Sequence, residues 1–504
     1  MKILMVYPQY PATFWSFKHA LKFVSKKGSY PPLGLLTVAA MLPEDWPKKL
    51  VDMNIHRLSD EDIKWADCVF ISAMAIQQDG VREVVRRCRE LGVRTAAGGP
   101  LFTMEPDEYP DVDHLVLGEA EAILPEFLED LRNGRARHLY QASGHPDICR
   151  TPLPLWSLIK MKHYSAMAIQ YSRGCPFDCE FCDIAVLNGH RPRTKDTAQF
   201  VDELEVLYRR GWRGRLFIVD DNFIGNRKKL KEEVLPAIID WQKDNKNVFS
   251  FNTETSINLA DDDELIRLMT GAGFDAVFIG IETTNEESLA ECAKAQNQGR
   301  DLQAAVKKLH NLGLEVQGGF IVGFDSDPLS IFKSQINFIQ KSGIVTAMVG
   351  LLNAPPGTRL YQRMKKENRI IEGFKGSNME SNFVPRMNPQ VLIDGYKNIL
   401  KTIYSQKPYY ERIATFLKEF KPVRRGRVHI KLNDLRIVWK AFWILGVWER
   451  GKQHYWKLMV ATVLKRPRSF PLAMKLAIYG YHFRRVADVV GKTLKAPDAA
   501  KSAG

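Results

Sequence analysis

No stretch of the 504-residue chain approaches the roughly 20 uninterrupted apolar residues that a helix needs to cross a bilayer, which excludes a spanning helix of that kind. Cysteine is scarce and odd in number: Cys68, Cys88, Cys149, Cys175, Cys179, Cys182 and Cys292, three of them crowded into one loop. Such a set does not build a secreted disulfide framework and points to a reducing cytoplasm. The opening "MKILMVYPQYP" lacks the basic-then-apolar layout of a signal peptide and reads as a first β-strand. There is no internal repeat, and no long low-complexity tract beyond the end "LKAPDAAKSAG", so a solenoid is excluded. Acid is nearly missing from one region. Between 421 and 504 there are 4 acids against 19 Lys and Arg, a net of +15, leaving the first 420 residues at −1.

What is present is ordinary in bulk: 45% hydrophobic and 26% charged residues, in a length that favours two to four domains. Residues 1–140 alternate the strand-like runs "KILMVYP", "KLVDMN", "CVFISAM", "RTAAGGP" and "HLVLGE" with helical stretches such as "DGVREVVRRCRELG". Short buried strands alternating with helices predict a parallel, doubly wound sheet. Ser72, Gly98–Gly99–Pro100 and Gly118 close several of these strands. Small residues there let a ligand approach bare backbone beyond the strand ends, although turn chemistry alone also places them. Residues 141–160, rich in proline and polar side chains, read as a linker.

A second series follows: "AMAIQYSRG", "RLFIVDDN", "VFSFNTE", "AVFIGIET", "LEVQGGFIVGFD" and "VTAMVGLLNAPPG", with helical segments between. Six strand–helix units over 161–390 predict a partial (β/α)6 barrel of the TIM type, whose chemistry lies at the carboxyl ends of the strands. "RGCPFDCEFCDI" falls just after the first of these strands. A structural zinc site needs a fourth ligand, usually from a second pair, and no second CxxC pair exists. Cys149, His163 and His190 are candidate fourth ligands, each requiring the chain to fold back. The alternative is a 4Fe-4S cluster held by Cys175, Cys179 and Cys182, with one iron open; thiolate softness suits either metal.

Cx3Cx2C with Phe181 before the last cysteine, after the first strand of a partial barrel, resembles the radical SAM superfamily. The resemblance implies that the open iron chelates S-adenosyl-L-methionine, whose reductive cleavage gives a 5′-deoxyadenosyl radical for attack on unactivated carbon. It also implies sites for that cofactor strand by strand. These are Asp220, Asp221 and Asn222 near the methionine amine, Asn252, Thr253 and Glu254 after the third strand, and Glu282 near the ribose hydroxyls. Gly319 and Gly323, with Ile321 in the fifth-strand motif, fall beside the adenine. The acidic second-strand run departs from the simpler Gly-Gly-Glu of many relatives.

A doubly wound domain directly before such a barrel is similar to the cobalamin-binding subclass, in which Ser72, Gly98 and Gly99 match the loops that receive the nucleotide tail. The familiar Asp-x-His-x-x-Gly signature is missing, so no lower axial histidine is expected; His19 and His56 read as ordinary polar residues. "YPPLGLL", "VDDNFIGN" and "GGFIVGFDSD" further resemble the branch that includes the hopanoid C-2 methylases.

Residues 391–504 read as helical, with Trp439, Trp443, Trp448 and Trp456 among lysines and arginines. Such a segment suits peripheral contact with the inner face of a membrane, packing against the barrel, or, less well, nucleic acid. The reading as a whole is an α/β cytoplasmic enzyme using a 4Fe-4S cluster, S-adenosyl-L-methionine and cobalamin. It is expected to methylate an unactivated carbon of a small-molecule or lipid substrate, with an electron donor such as flavodoxin or ferredoxin. The rival readings are radical cyclisation or rearrangement with cobalamin, and a non-catalytic zinc or RNA-binding protein.

Overall fold

In the computed structural model, residues 1–371, 373–374, 380–423 and 432–494 are described. The N-terminal strands are β1 Ile3–Tyr7, β2 Lys48–Asp52, β3 Cys68–Ser72, β4 Arg94–Gly98, β5 His114–Leu117 and β6 Leu139–Gln141. They form one sheet in the order β2-β1-β3-β4-β5-β6, every pair parallel. Alternate residues of a strand face opposite sides, and β1 shows the consequence. Leu4 and Val6 join one apolar cluster, Ile3 and Met5 another on the opposite face. Both faces are therefore covered, as a parallel sheet requires. Helix α1 Lys18–Val24 packs on the C-terminal helices, and among the helices covering the sheet are α2 Leu33–Met41, α3 Gln78–Glu90 and α4 Ala120–Arg132. The order reverses between β1 and β3, where a doubly wound sheet leaves a crevice beyond its carboxyl edge.

β6 was not anticipated from the sequence: its three residues straddle the start of the proline-rich stretch. That stretch is also not free of the body. Trp156 is 2% exposed, and Leu155 N donates to Leu36 O of α2 (2.9 Å).

The second sheet contains β7 Met167–Ile169, β10 Arg215–Ile218, β11 Ser250–Thr255, β12 Phe274–Glu282, β13 Glu315–Val322 and β14 Ala347–Leu351. A two-stranded ribbon, β8 Ser172–Arg173 and β9 Arg193–Thr194, follows β7. The large sheet runs β7-β10-β11-β12-β13-β14, all parallel and in chain order, and the two end strands do not pair: an open six-stranded barrel. The crossover helices α5 Thr197–Arg209, α6 Leu235–Asp244, α7 Asp263–Ala272, α8 Leu302–Asn311 and α9 Ile331–Ser342 lie between successive strands. Their starts are set by short polar side chains. Asp262 accepts from Leu265 N (3.0 Å) and Asp301 from Ala304 N (2.9 Å), satisfying donors that a helix leaves unpaired.

Helix α10 Arg359–Lys366 follows, then α11 Pro389–Tyr404, α12 Gln406–Glu419, α13 Leu432–Trp443, α14 Lys452–Lys465 and α15 Phe470–Thr493. α15 packs on the barrel through Lys475 Nζ, which pairs with Glu315 of β13 (2.7 Å), and on α1, where His482 Nδ1 accepts from His19 N (3.4 Å).

Candidate functional site

β7 ends at Ile169, and the chain turns through Gln170, Tyr171 and Ser172 into the loop of Cys175, Cys179 and Cys182. Asp220, just after β10, shapes this turn. Its carboxylate accepts from Tyr171 N (2.8 Å), Ser172 N (2.7 Å) and Ser172 Oγ (2.6 Å). Burial pushes the Asp220 carboxyl up to about 7 despite these donors. At 1% exposure and accepting three hydrogen bonds, Asp220 buttresses the backbone before the cysteines. Asp221 uses Oδ2 in the same region, accepting from Gly174 N (3.1 Å) and Asn188 Nδ2 (2.9 Å).

The three thiols are partly exposed. Among the described residues, no three His, Cys, Asp or Glu side chains converge as ligands of a single metal ion. The groups around the thiols fit a larger, negatively charged occupant. Asn222 Nδ2 lies 3.9 Å from Cys175 Sγ, and Gln296 Nε2 lies 3.7 Å from Cys179 Sγ. Lys294, 13% exposed at its side chain, sits 2.8 Å from Glu282 Oε1 and over the ring of Phe181 (6.0 Å). Burial disfavours its charge, but Glu282 and the Cys179 and Cys182 thiols outweigh that and hold its pKa above the usual lysine value. A buried cation beside three thiols is what an anionic cluster requires.

Helix α10 clamps the loop from its other side. Arg363 bonds both carboxylate oxygens of Glu180 (2.7 and 2.9 Å), and Leu360 N donates to Glu180 O (2.9 Å).

The remaining strand ends add polar groups. Glu282 has a left-handed backbone (φ +63°) at an irregularity in the β12–β13 pairing, an unfavourable conformation for a residue with a side chain. Its neighbour must be small: a Cβ on Gly280 would lie 2.1 Å from Glu282 Oε1 and 2.9 Å from Lys294 Nζ. On β11, Asn252 and Glu254 share one face and Thr253 the other. Thr253 is fully buried and donates to Ile218 O (2.9 Å), tying β11 to β10. Glu254 has no hydrogen-bond partner among the described residues. Lost hydration, then Asp221 and Glu282, push its carboxyl up to about 8. Buried Oδ1 of Asn252 and Oε1 of Gln296 have no partner among the described residues, and a bound polar ligand would satisfy them.

Gly319 is in register with Gly280 and abuts Phe278 (3.0 Å from an added Cβ). Gly323 forms a turn instead. With φ +107°, it donates its N–H to Asp327 Oδ2 (2.8 Å).

At the N-terminal sheet, a cavity of about 310 Å³ is lined by Ser72, Gly98 and Gly99 on one side and by Gln170, Arg173 and Val219 of the barrel on the other. Gly99 (φ +94°) is obligatory, because a Cβ there would lie 2.7 Å from Ser72 Oγ. Ser72, Gly98 and Gly99 bring little side chain to this wall, so a ligand there would meet backbone. Arg173, two residues before Cys175, ties the halves together. It bonds Glu119 Oε2 (2.6 Å), Glu121 Oε1 (2.8 Å) and Gln170 Oε1 (2.8 Å). Arg193 Nη2 adds a bond to Glu119 Oε1 (2.6 Å). Burial raises the Glu121 carboxyl, but Arg173 overcomes this and holds it at about 2.

The sequence reading missed Lys294, Gln296 and the Glu119–Glu121 pair. Lys294 and Gln296 lie in a short irregular stretch after β12, where no periodicity marks them. Arg173, an arginine closing an apolar strand beside the cysteines, was the available signal.

Three family models match the chain: a B12 binding domain over residues 23–128, the radical SAM superfamily over 169–338, and a domain of unknown function, DUF4070, over 358–496. The chain is 38% identical to an uncharacterized methyltransferase of Synechocystis sp., over 97% of this chain and 92% of that protein. It is 31% identical to the hopanoid C-2 methylase of Rhodopseudomonas palustris, over 92% of this chain and 90% of that protein. Two solved structures share the fold at low identity. The cobalamin-dependent S-adenosylmethionine radical enzyme OxsB has a TM-score of 0.62 at 13% identity, covering 97% of this chain and 80% of that one. The radical S-adenosylmethionine methyltransferase TsrM of Kitasatospora setae has a TM-score of 0.58 at 14%, covering 97% and 99%.

Proposed function

The chain belongs to the radical SAM enzymes that carry an N-terminal cobalamin-binding domain, and from that premise we propose that it transfers a methyl group to an unactivated carbon of a lipid- or isoprenoid-type small molecule. When bound, the cluster and S-adenosyl-L-methionine supply a 5′-deoxyadenosyl radical able to take hydrogen from such a carbon, and cobalamin supplies the methyl group. The side chains of the protein hold, orient and exclude.

Cys175, Cys179 and Cys182 hold the cluster, Asn222 and Gln296 donate towards its sulfur ligands, and Lys294 offsets its charge. Glu282, Glu254 and Asn252 offer acceptors to the amine and hydroxyls of S-adenosyl-L-methionine, with Asp221 behind them, and the adenine lies along the β13 strand end near Gly319. Ser72, Gly98 and Gly99 receive the cobalamin tail. Residues 1–140, 161–390 and 391–504 are the three functional regions in this reading. A flavodoxin or ferredoxin is the electron donor, and the last region meets the inner face of a membrane.

The observation that carries the proposal is the shared cavity. Ser72, Gly98 and Gly99 of the N-terminal sheet line it together with Gln170, Arg173 and Val219 of the barrel, so the proposed cobalamin cradle opens beside the segment that leads into the cysteines. The test is anaerobic reconstitution with iron, sulfide and cobalamin, followed by incubation with S-adenosyl-L-methionine labelled in its methyl group. Deoxyadenosine together with labelled product supports methylation. Deoxyadenosine with no label in product would sink methylation in favour of rearrangement, and zinc without sulfide would sink the whole reading.

A further inference from the structure

Ten of the nineteen large apolar side chains exposed among the described residues lie between 435 and 464, so the exposure is concentrated in one helical hairpin. On α13 and the turn that follows it, aromatic rings touch in a chain. Trp439 lies 6.2 Å from Trp443, Trp443 lies 6.2 Å from Trp448, and Phe442 bridges Trp443 (5.6 Å) to Trp456 of α14 (5.4 Å). Trp448 is 73% exposed and Trp439 66%. Val460, Val463 and Leu464 continue from Trp456 at spacings of four, seven and eight, one face of a helix, and Leu464 is 77% exposed.

These residues are not the core-facing side of the hairpin. Ala441, Leu445, Tyr455, Leu458 and Met459 are, and all are buried. Each helix therefore carries a second apolar face. A continuous exposed patch of this kind on a folded chain marks a surface that something covers.

The charge around the patch identifies the cover. Arg436, Arg450, Lys457, Lys465 and Arg468 are exposed and, among the described residues, form no ion pair. Between 436 and 468 the one acid is Glu449, already 3.4 Å from Arg484 Nε of α15. Tryptophan rings set among cations with no free carboxylate match the headgroup layer of an anionic bilayer, where the rings find an apolar and a polar side together. No helix among the described residues is long and apolar enough to cross a membrane, which leaves the patch to lie in the interface.

We propose that α13, α14 and the turn between them dock on the face of an anionic lipid bilayer. This rests on the peripheral contact proposed above and gives it a surface, inside the stretch matched by the domain of unknown function. α13 is also tied to the N-terminal helix, since Lys440 Nζ bonds Lys22 O (2.9 Å) and Ser25 Oγ (3.0 Å) of α1 and its C-cap. Docking therefore holds the whole molecule, not a loose tail, at the interface.

The test is co-sedimentation of the full chain with phosphatidylcholine vesicles with and without phosphatidylglycerol. The wild type should prefer anionic vesicles and release at high salt. The triple variant Trp439→Ala, Trp448→Ala, Leu464→Ala should lose at least about tenfold in vesicle affinity. The variant Arg450→Gln, Lys457→Gln, Arg468→Gln should lose the preference for anionic lipid. Thermal unfolding and deoxyadenosine formation in vesicle-free solution should stay at wild-type values in both variants. No anionic preference, or undiminished binding by the triple variant, overturns the proposal. So does a solution dimer that the triple variant dissolves, since the patch would then cover a second copy. Loss of deoxyadenosine in the wild type would instead count against the catalytic reading and leave vesicle binding intact.

Discussion

At the carboxyl ends of β3 and β4 the chain presents backbone: Ser72, Gly98 and Gly99, where an added Cβ on Gly99 would lie 2.7 Å from Ser72 Oγ. At the carboxyl ends of β10, β11 and β12 it presents side chains with charge or strong dipoles: Asn222, Glu254, Glu282 and, from the following loop, Lys294. Both sheets are six-stranded, parallel and buried on both faces, and both candidate sites lie at the carboxyl ends of the strands. What differs is how a ligand is recognised. In the proposed reading the glycine cradle would select by shape, with substitutions acting through steric exclusion, and the barrel end by electrostatics, with substitutions acting through unpaired buried charge.

That contrast can be broken most severely at the cysteines. Cys179→Ala is expected to abolish the cluster absorbance and to cut deoxyadenosine formation by at least about a thousandfold, about 4 kcal/mol of barrier, while corrin binding persists. Retention of either cluster signal refutes the ligand assignment.

Arg173 joins the two regions, so its loss should damage both. Arg173→Gln leaves Glu119 and Glu121 buried with less compensation, at a cost of about 3 kcal/mol read by chemical denaturation. The same contact has a pH signature. Because the Glu121 carboxyl is held at about 2, below an ordinary glutamate, its stabilisation is present above about pH 4.5 and is lost as pH falls towards 2. Arg173→Gln should flatten that acid limb of the stability curve, and an unchanged limb would refute the coupling.

Gly99→Val separates the regions cleanly. It should reduce corrin retention by at least about tenfold while leaving the iron and sulfide content unchanged. Loss of both would mean that the cradle and the cluster are not independent.

An effect confined to pH dependence is expected at Glu254. Its carboxyl, raised to about 8, keeps its proton at neutral pH, so stability declines as pH rises from the ordinary glutamate range through 8. Glu254→Gln should remove a loss of about 2 kcal/mol between about pH 6 and about pH 9 in thermal unfolding profiles. Equal profiles for the two proteins would place Glu254 in solvent.

Legibility from the sequence divided along the same line. All six barrel strands and the first five strands of the N-terminal sheet could be read as runs, because buried parallel strands are short, apolar and bounded by turn residues. β6 escaped because three residues carry no period. On β11, strand alternation alone separates Asn252 and Glu254 from Thr253, yet which face is the site depends on where the helices lie. Asp220 reads as a site acid because an acid at a strand end often is one; its three donors from the neighbouring strand end are visible only in the fold.

The order of strands and the spacing of Cys175, Cys179 and Cys182 were determined by the sequence itself, since both depend on neighbours in the chain. The meeting of Gln296 with Cys179 across 117 positions, and of Arg173 with Glu119 across 54, was decided only by tertiary structure. Parallel crossovers carry every strand end to the same edge, and no local pattern records which distant side chains will find themselves there.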